Sequence, residues 1–148
     1  MALDSAAQVF DIPLRERGIA TESIRICPDQ TVDRFVHSAA EVSHRLRDRL
    51  SDVRKPKPDL VYFADDSLTT AGLWAIHDVG LRVPEDVKVV TLSNRGNRPA
   101  YRCGLTCIEH DHAAYALRIA REMLAFLAGR KWHRVLVGNA RIVPGETF

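Results

Sequence analysis

The stretch PDLVYFADDSLTTAGLWAIHDVGLRVPEDVKVVTLSN (58–94) decides how this chain folds. It opens on a continuous apolar run, LVYFA (60–64), of the kind that predicts a strand buried on both faces. Two adjacent carboxylates, Asp65 and Asp66, close the run. Leu68, Ala71, Gly72, Ala75, Ile76 and Val79 then recur at three- and four-residue spacing, which predicts a helix ended by Gly80. The turn LRVPED leads into VKVVTL (87–92), a second buried strand.

The alternation continues in both directions. Upstream, a short helix over about 5–17 ends at Gly18, and SIRIC (23–27) reads as a strand closed by Pro28. Thr31 caps a helix whose apolar positions are Val32, Phe35, Val36, Ala39, Leu46, Leu50 and Val53. Its other face carries Glu41 and Arg45 at the favourable i,i+4 spacing, then Arg47, Asp48 and Arg49, and reads as solvated. KPKP (55–58) breaks that helix. Downstream, a loop with Asn94, Gly96, Asn97 and Pro99 precedes the strand GLTCIE (104–109). Asp111 caps a helix through Leu117, Met123, Leu124, Phe126 and Leu127, stopped by Gly129. RVLV (134–137) and ARIV (140–143) read as extended.

Alternating strands and helices with apolar strands predict an α/β fold, a parallel sheet covered on both sides in three αβα layers. In such sheets ligands sit beyond the carboxyl ends of the strands. That rule selects Cys27 to Gln30, Asp65 to Ser67, and Ser93 to Gly96 as candidate binding positions.

Composition narrows the class. The 148 residues fit one domain or a substantial piece of a larger one, and 46% hydrophobic content supports a buried core. Lys and Arg outnumber Asp and Glu by 21 to 19 without pooling anywhere, so no basic stripe is present to track nucleic-acid phosphates. Three cysteines make no disulfide framework and fit a reducing cytosol. MALDSAAQVF lacks the order of a secretory signal, and no apolar run approaches a membrane span. A soluble, cytoplasmic protein with no membrane partner is expected.

The stretch 58–94 resembles the C-terminal half of a lactose-repressor (LacI/GalR) family effector domain. The matching string is Pro58-Asp59, the apolar strand, Asp65-Asp66, the small-residue helix, then Gly80-Leu81-Arg82-Val83-Pro84-Glu85-Asp86 and a strand. GLTCIEHDHAAYALRIAREMLAFLAG (104–129) resembles the family's Leu-Thr-Thr strand, helix and closing glycine, and FDIPLRERGI (10–19) the helix before the subdomain's first strand. The resemblance implies a periplasmic-binding-protein-like fold of two α/β lobes with a small ligand in the cleft. Residues 1–148 would form the C-terminal lobe, with 104–128 the segment that crosses into an N-terminal lobe mostly absent here. It further implies a cytoplasmic transcription regulator that contacts DNA through a separate headpiece and forms dimers, here with domain swapping in view. Carried over residue by residue, Asp65 takes the family's ligand-facing polar position. Leu92, Ser93 and Asn94 stand where the family shows an aromatic, a hydroxyl-binding Asp, and Asp or Asn. IVPGET does not reproduce the family's Val-x-Arg-x-Ser.

These positions yield a candidate ligand set of Asp65, Ser93, Asn94 and Gln30, with Asp66 assigned to capping the helix that follows. Asp65 itself reads equally as a ligand contact or a solvated acid. Trp74, off its helix's apolar stripe, suits a subunit contact or partial burial. SNRGNR (93–98) suits an anion or a plain polar loop. Cys103, Cys107, His110 and His112 are zinc-type residues, but an extended segment holds the two thiols roughly 13 Å apart, so no metal site is expected. The acid pair lacks the later Asp and Lys of a magnesium-binding receiver domain, and His110-Asp111 has no nucleophile motif beside it. No catalytic residue and no cofactor is expected. The leading reading is an effector-binding and dimerisation module; a solute-binding protein of the same fold and an α/β enzyme are its rivals.

Overall fold

A computed structural model describes residues 12–24, 34–133 and 138–148. Residues 12–15 are helical, and Gly18 turns the chain away at φ 74°. Gln30, Thr31, RVLV (134–137) and SIRIC beyond Ile24 lie outside the described residues. The remaining elements follow the expected order: α1 (Arg34–Ser51), β1 (Leu60–Phe63), a 3-10 turn (Asp66–Leu68), α2 (Thr69–Asp78), β2 (Lys88–Asn94), β3 (Thr106–His110), α3 (His112–Leu127) and β4 (Ala140–Val143).

The sheet runs β1-β2-β3-β4. The first three strands are parallel, and β4 returns antiparallel beside β3. Register sets Phe63, Thr91, Cys107 and Val143 in one row, with Ser93, Glu109 and Arg141 in the next row toward the strand ends. Side chains alternate between faces along a strand, so these two rows share a face.

That face carries the core. Val89, Phe63 and Cys107 pack with Val42, Leu46 and Leu50 from α1 and Leu73, Ala75 and Ile76 from α2. Ile76 is fully enclosed, and burying such a side chain contributes about 1.5–3 kcal/mol. α2 lies directly on β1 because position 72 is glycine: a Cβ there would collide with the Phe63 ring. Ser43 Oγ donates to Ala71 O at 3.3 Å and ties α1 to α2. Thr69 and Thr91 share a buried hydroxyl contact of 2.6 Å that pins α2 to β2.

Two sequence expectations fail locally. LVYFA is not buried on both faces: Leu60 is 42% exposed, Val61 and Tyr62 are half-buried, and of β1 only Phe63 is enclosed. Among the described residues β1 is a sheet edge, so a neighbour pairs with it on one side only. Val53 is 97% exposed because α1 ends at Ser51 and Val53 sits in the turn beyond the helical face.

Gly80, at φ 76°, reverses the chain after α2, and Leu81, Val83 and Val87 tuck in behind it. Asp86 braces this reversal by accepting from Arg82 N at 2.8 Å, Nε at 2.7 Å and Nη2 at 2.8 Å. The Arg82 side-chain and backbone hydrogen bonds hold the Asp86 carboxyl far below its ordinary range. A depressed folded-state value contributes stability above the unfolded-state value, and that contribution is lost as pH falls through the folded one. Asp86→Asn should therefore lower Tm at neutral pH, with the deficit shrinking steadily in melts taken below about pH 4. An equal deficit at all pH values would contradict this linkage.

The C-terminal tail closes the other end of the sheet. Thr147 is fully buried between the beginnings of β2 and β3. Its carbonyl accepts from Val89 N at 2.8 Å, and its hydroxyl donates to Val89 O at 2.8 Å. The same hydroxyl accepts from Thr106 N at 2.9 Å. One residue thus satisfies three backbone groups that strand pairing leaves open.

α3 begins as expected, with Asp111 Oδ1 accepting from Ala114 N at 2.9 Å, and ends near Gly129 at φ 63°. None of its side chains is buried. Leu117, Met123, Leu124, Phe126 and Leu127 all lie open.

Candidate functional site

The strand ends gather most of the polar side chains singled out from the sequence. Asp65 is the last extended residue after β1, at φ −144° and ψ 122°. Its Oδ1 accepts from Ser67 N at 2.9 Å and from Ser67 Oγ at 2.6 Å. The capping role assigned to Asp66 therefore belongs to Asp65. A cap needs extended backbone just before the first turn, and Asp66 already lies inside the 3-10 turn. α2 starts directly behind that turn at Thr69, and Leu68, at its N-cap position, makes no side-chain capping bond. Asp65→Ala should cost about 0.5–2 kcal/mol in denaturant unfolding, whereas Asp66→Ala should fall within about 0.5 kcal/mol of the parent. The reverse ranking would restore the sequence assignment.

Ser93 points inward from the end of β2, 2% exposed, and its Oγ has no hydrogen-bond partner among the described residues. Asn94 follows on the opposite face. Its Oδ1 accepts from His112 N at 3.3 Å, which links β2 to the start of α3. The loop after it reverses over Arg95 and Gly96, with Gly96 at φ 82° and Asn97 N donating to Asn94 O at 2.9 Å.

Sequence reasoning missed the group beside Ser93. Glu109 stands level with Ser93 on the next strand, and its side chain is 4% exposed. Its Oε1 accepts from Arg141 Nε at 2.9 Å and Nη2 at 2.6 Å, and Arg98 Nη2 lies 3.7 Å from Oε2. A signal was available: in TCIEH, residue 109 falls on the same inward alternation as Cys107, where a charged side chain needs a partner. Arg141 is that partner, placed opposite by the antiparallel register of β4.

Arg95 folds toward the same region, and its Nη1 donates to Asp111 Oδ2 at 2.8 Å. The Ala114 amide, then the Arg95 guanidinium, hold the Asp111 carboxyl below its usual range. Arg95, Glu109, Asp111, Tyr115, Arg118 and Arg141 line a pocket of about 310 Å³ with Asn139 and its neighbours. This volume lies at the lower end of small-molecule sites. A second hollow, about 440 Å³, runs along α3 between Tyr115, Ile119, Met123, Phe126 and Trp132.

The remaining candidates are dispersed. Gln30 lies outside the described residues. Cys107 is buried in the core with Sγ 3.3 Å from Leu105 O, and Cys103 lies half-buried. The His110 and His112 rings stand 6.0 Å apart, and among the described residues no three His, Cys, Asp or Glu gather as a metal-holding group. His77 is half-buried, and its Nε2 meets the Tyr101 hydroxyl at 2.8 Å. Trp74 is 65% exposed.

Parallel strands crossed over by helices, with polar groups collected at the strand ends, define a partial lobe of a periplasmic-binding-protein-like fold. Residues 6–148 match the periplasmic binding protein-like domain family, and the chain belongs to it. No curated protein sequence matches the chain. Solved structures similar to it are LacI family transcriptional regulators. One from Bifidobacterium animalis subsp. lactis superposes with a TM-score of 0.74 at 22% identity, covering 95% of this chain and 48% of that one. A Lactobacillus casei regulator with bound glucose gives 0.68 at 17%, covering 98% and 50%. The Escherichia coli transcriptional repressor ascG gives 0.66 at 18%, covering 91% and 46%. The chain thus spans about half the length of these regulators. No helix among the described residues is long and apolar enough to cross a membrane.

Proposed function

We propose that this chain is the effector-sensing part of a LacI-type transcription regulator, acting in the cytoplasm as a binding module without catalysis. A small molecule would sit at the carboxyl ends of β1 to β3, within reach of Asp65, Ser93 and Asn94. The observation that carries this reading is the likeness to the glucose-bound Lactobacillus casei regulator over 98% of the chain, together with the polar row at the strand ends. Regulation would be differential: a ligand that favours one lobe arrangement shifts the equilibrium, and dimeric headpieces change their fit to DNA.

α3 fits the proposed domain division. An amphipathic helix normally hides its apolar stripe, yet this one has no buried residue. A helix that belongs to a neighbouring lobe, reached by crossing over in segment 104–128, would look this way. Homodimers, including domain-swapped ones, follow as the expected assembly, and the open Trp74 offers an aromatic anchor for a subunit contact.

The test is ligand binding by the chain, followed as a thermal shift across sugars, nucleobases and phosphorylated metabolites. A saturable stabilisation by one class supports the sensing role, and the absence of any shift across the panel rejects it. Sedimentation at rising concentration addresses the assembly: a compact monomer throughout would reject the dimer.

A further inference from the structure

Three hydrogen bonds tie the end of β2 and the loop after it to the point where β3 becomes α3. Arg95 N donates to His110 O at 2.8 Å, and Arg95 Nη1 donates to Asp111 Oδ2 at 2.8 Å. Asn94 Oδ1 accepts from His112 N at 3.3 Å. Two adjacent residues thus hold three consecutive ones, the last of the strand, the helix cap and the first of the helix. Beyond this junction α3 stands off from the sheet. It buries no side chain, and the hollow of about 310 Å³ lies between its first turns, at Ala114, Tyr115 and Arg118, and the chain around Asn139 and Arg141.

A helix packed on a sheet takes its direction from interdigitated side chains. Where a hollow replaces that packing, the bonds at the junction carry more of the task. Asp111 is suited to it. Its Oδ1 accepts from Ala114 N inside the helix, and its Oδ2 accepts from Arg95 outside. One carboxylate therefore grips the first turn and the neighbouring loop together, which fixes the angle between them. Asn94 brings in the candidate ligand positions, of which it is one. Its side-chain amide has two functions, a carbonyl and an NH2 with two donors. The carbonyl is on His112, so a ligand that drew on the NH2 would act on the same amide that holds α3.

Resting on the effector-sensing reading above, we infer that Asn94 and Arg95 are positioning residues for α3. They latch the start of the helix to the strand end where the ligand sits, and so set the direction in which α3 leaves the lobe. The helix has 16 residues and is about 24 Å long, so a tilt of about 15° at its base carries its far end through about 6 Å. Sensing then requires no rearrangement of the buried core. A change at Asn94 is passed to the junction, and the length of the helix enlarges it.

Pulsed electron spin resonance on the full chain tests this, with spin labels on encoded ketone side chains at positions 54 and 130. Both positions are exposed, one in the turn after α1 and one just past α3. Labelled chain is diluted with excess unlabelled chain, so that distances within one copy are read. The parent should give one narrow distance distribution. Arg95→Gln and Asn94→Ala should each broaden it or displace its mean, by about 6 Å for a tilt of about 15°. Arg95→Lys keeps a cation near Asp111 and should stay closer to the parent than Arg95→Gln. Arg95 and Asp111 form a surface pair, 63% exposed on the arginine side, so helix content by circular dichroism and the urea midpoint should stay near the parent's. A broad distribution already present in the parent overturns the latch. Unchanged distances in both Arg95→Gln and Asn94→Ala overturn it too. A broadening matched by a fall in helix content also overturns it, since the two residues would then only stabilise the helix end. No ligand enters this measurement: an overturned latch leaves the sensing role to the thermal-shift panel, and an empty panel rejects sensing without altering the distances.

Discussion

Gly145→Ala should destabilise the fold by on the order of 3–5 kcal/mol, from overpacking and the loss of buried hydrogen bonds together. A methyl group at position 145 would meet Gly104 O and the Leu105 carbonyl, with Leu105 O at 2.6 Å. These are backbone atoms of the segment entering β3, so no rotamer change can relieve the contact. Gly145 N also donates to Thr106 Oγ1 at 3.0 Å, and Glu146 N to Gly104 O at 2.7 Å. Moving the tail away breaks both and withdraws Thr147 from its slot. Val89 and Thr106 then lose partners in a place water does not reach, where each unmet group costs about 1–3 kcal/mol. A domain of this size has roughly 5–15 kcal/mol to lose. Urea unfolding should show a much lower midpoint, and an unchanged midpoint would mean the tail is not a structural part. Thr147→Val, which keeps the shape and deletes the hydroxyl, should lose a smaller share in the same assay.

Arg141→Met should cost about 1–3 kcal/mol. Removing one partner of a buried ion pair can cost about 3–5 kcal/mol, but the Arg141 side chain is 64% exposed and water screens part of the interaction. The loss would come from Glu109, which is 4% exposed and would keep Arg98 at 3.7 Å as its ion-pair partner among the described residues. Combining Arg141→Met with Glu109→Gln should recover much of the loss, because the second change removes the stranded charge. Chemical unfolding of the single and double variants gives the coupling directly. Additive losses would show that Glu109 is sufficiently solvated without Arg141.

The strand–helix–strand unit was legible because both of its periods are strong. Apolar strands and the small-residue helix fall where 58–94 places them, and glycine at 80 and 129 ends the following turns with positive φ. Asp111 was legible as a cap for the same local reason. The placing of the cap at Asp65 instead of Asp66 was not, since it depends on a three-residue 3-10 turn inserted before α2. A shift of one residue decides which acid has the extended backbone. The edge exposure of Leu60 was illegible because an apolar run reports a residue's suitability for burial and not which neighbours arrive. The pairing of Glu109 with Arg141 joins residues 32 apart through an antiparallel return strand; sequence spacing carries no such information. Ser93 was placed at the strand end correctly, but its companion proved to be Glu109 on β3.

The buried threonine near the end of the chain also sets an order of events. Its hydroxyl meets Val89 across 58 residues of sequence. During synthesis the apolar strands β1 to β3 emerge well before residue 147, so they must wait with their starting ends unsealed. Contacts of such long separation form late, and a partly assembled sheet is the species most prone to wrong association. Completion of this lobe therefore waits on the emergence of residue 147, and its period of greatest exposure falls in the interval just before.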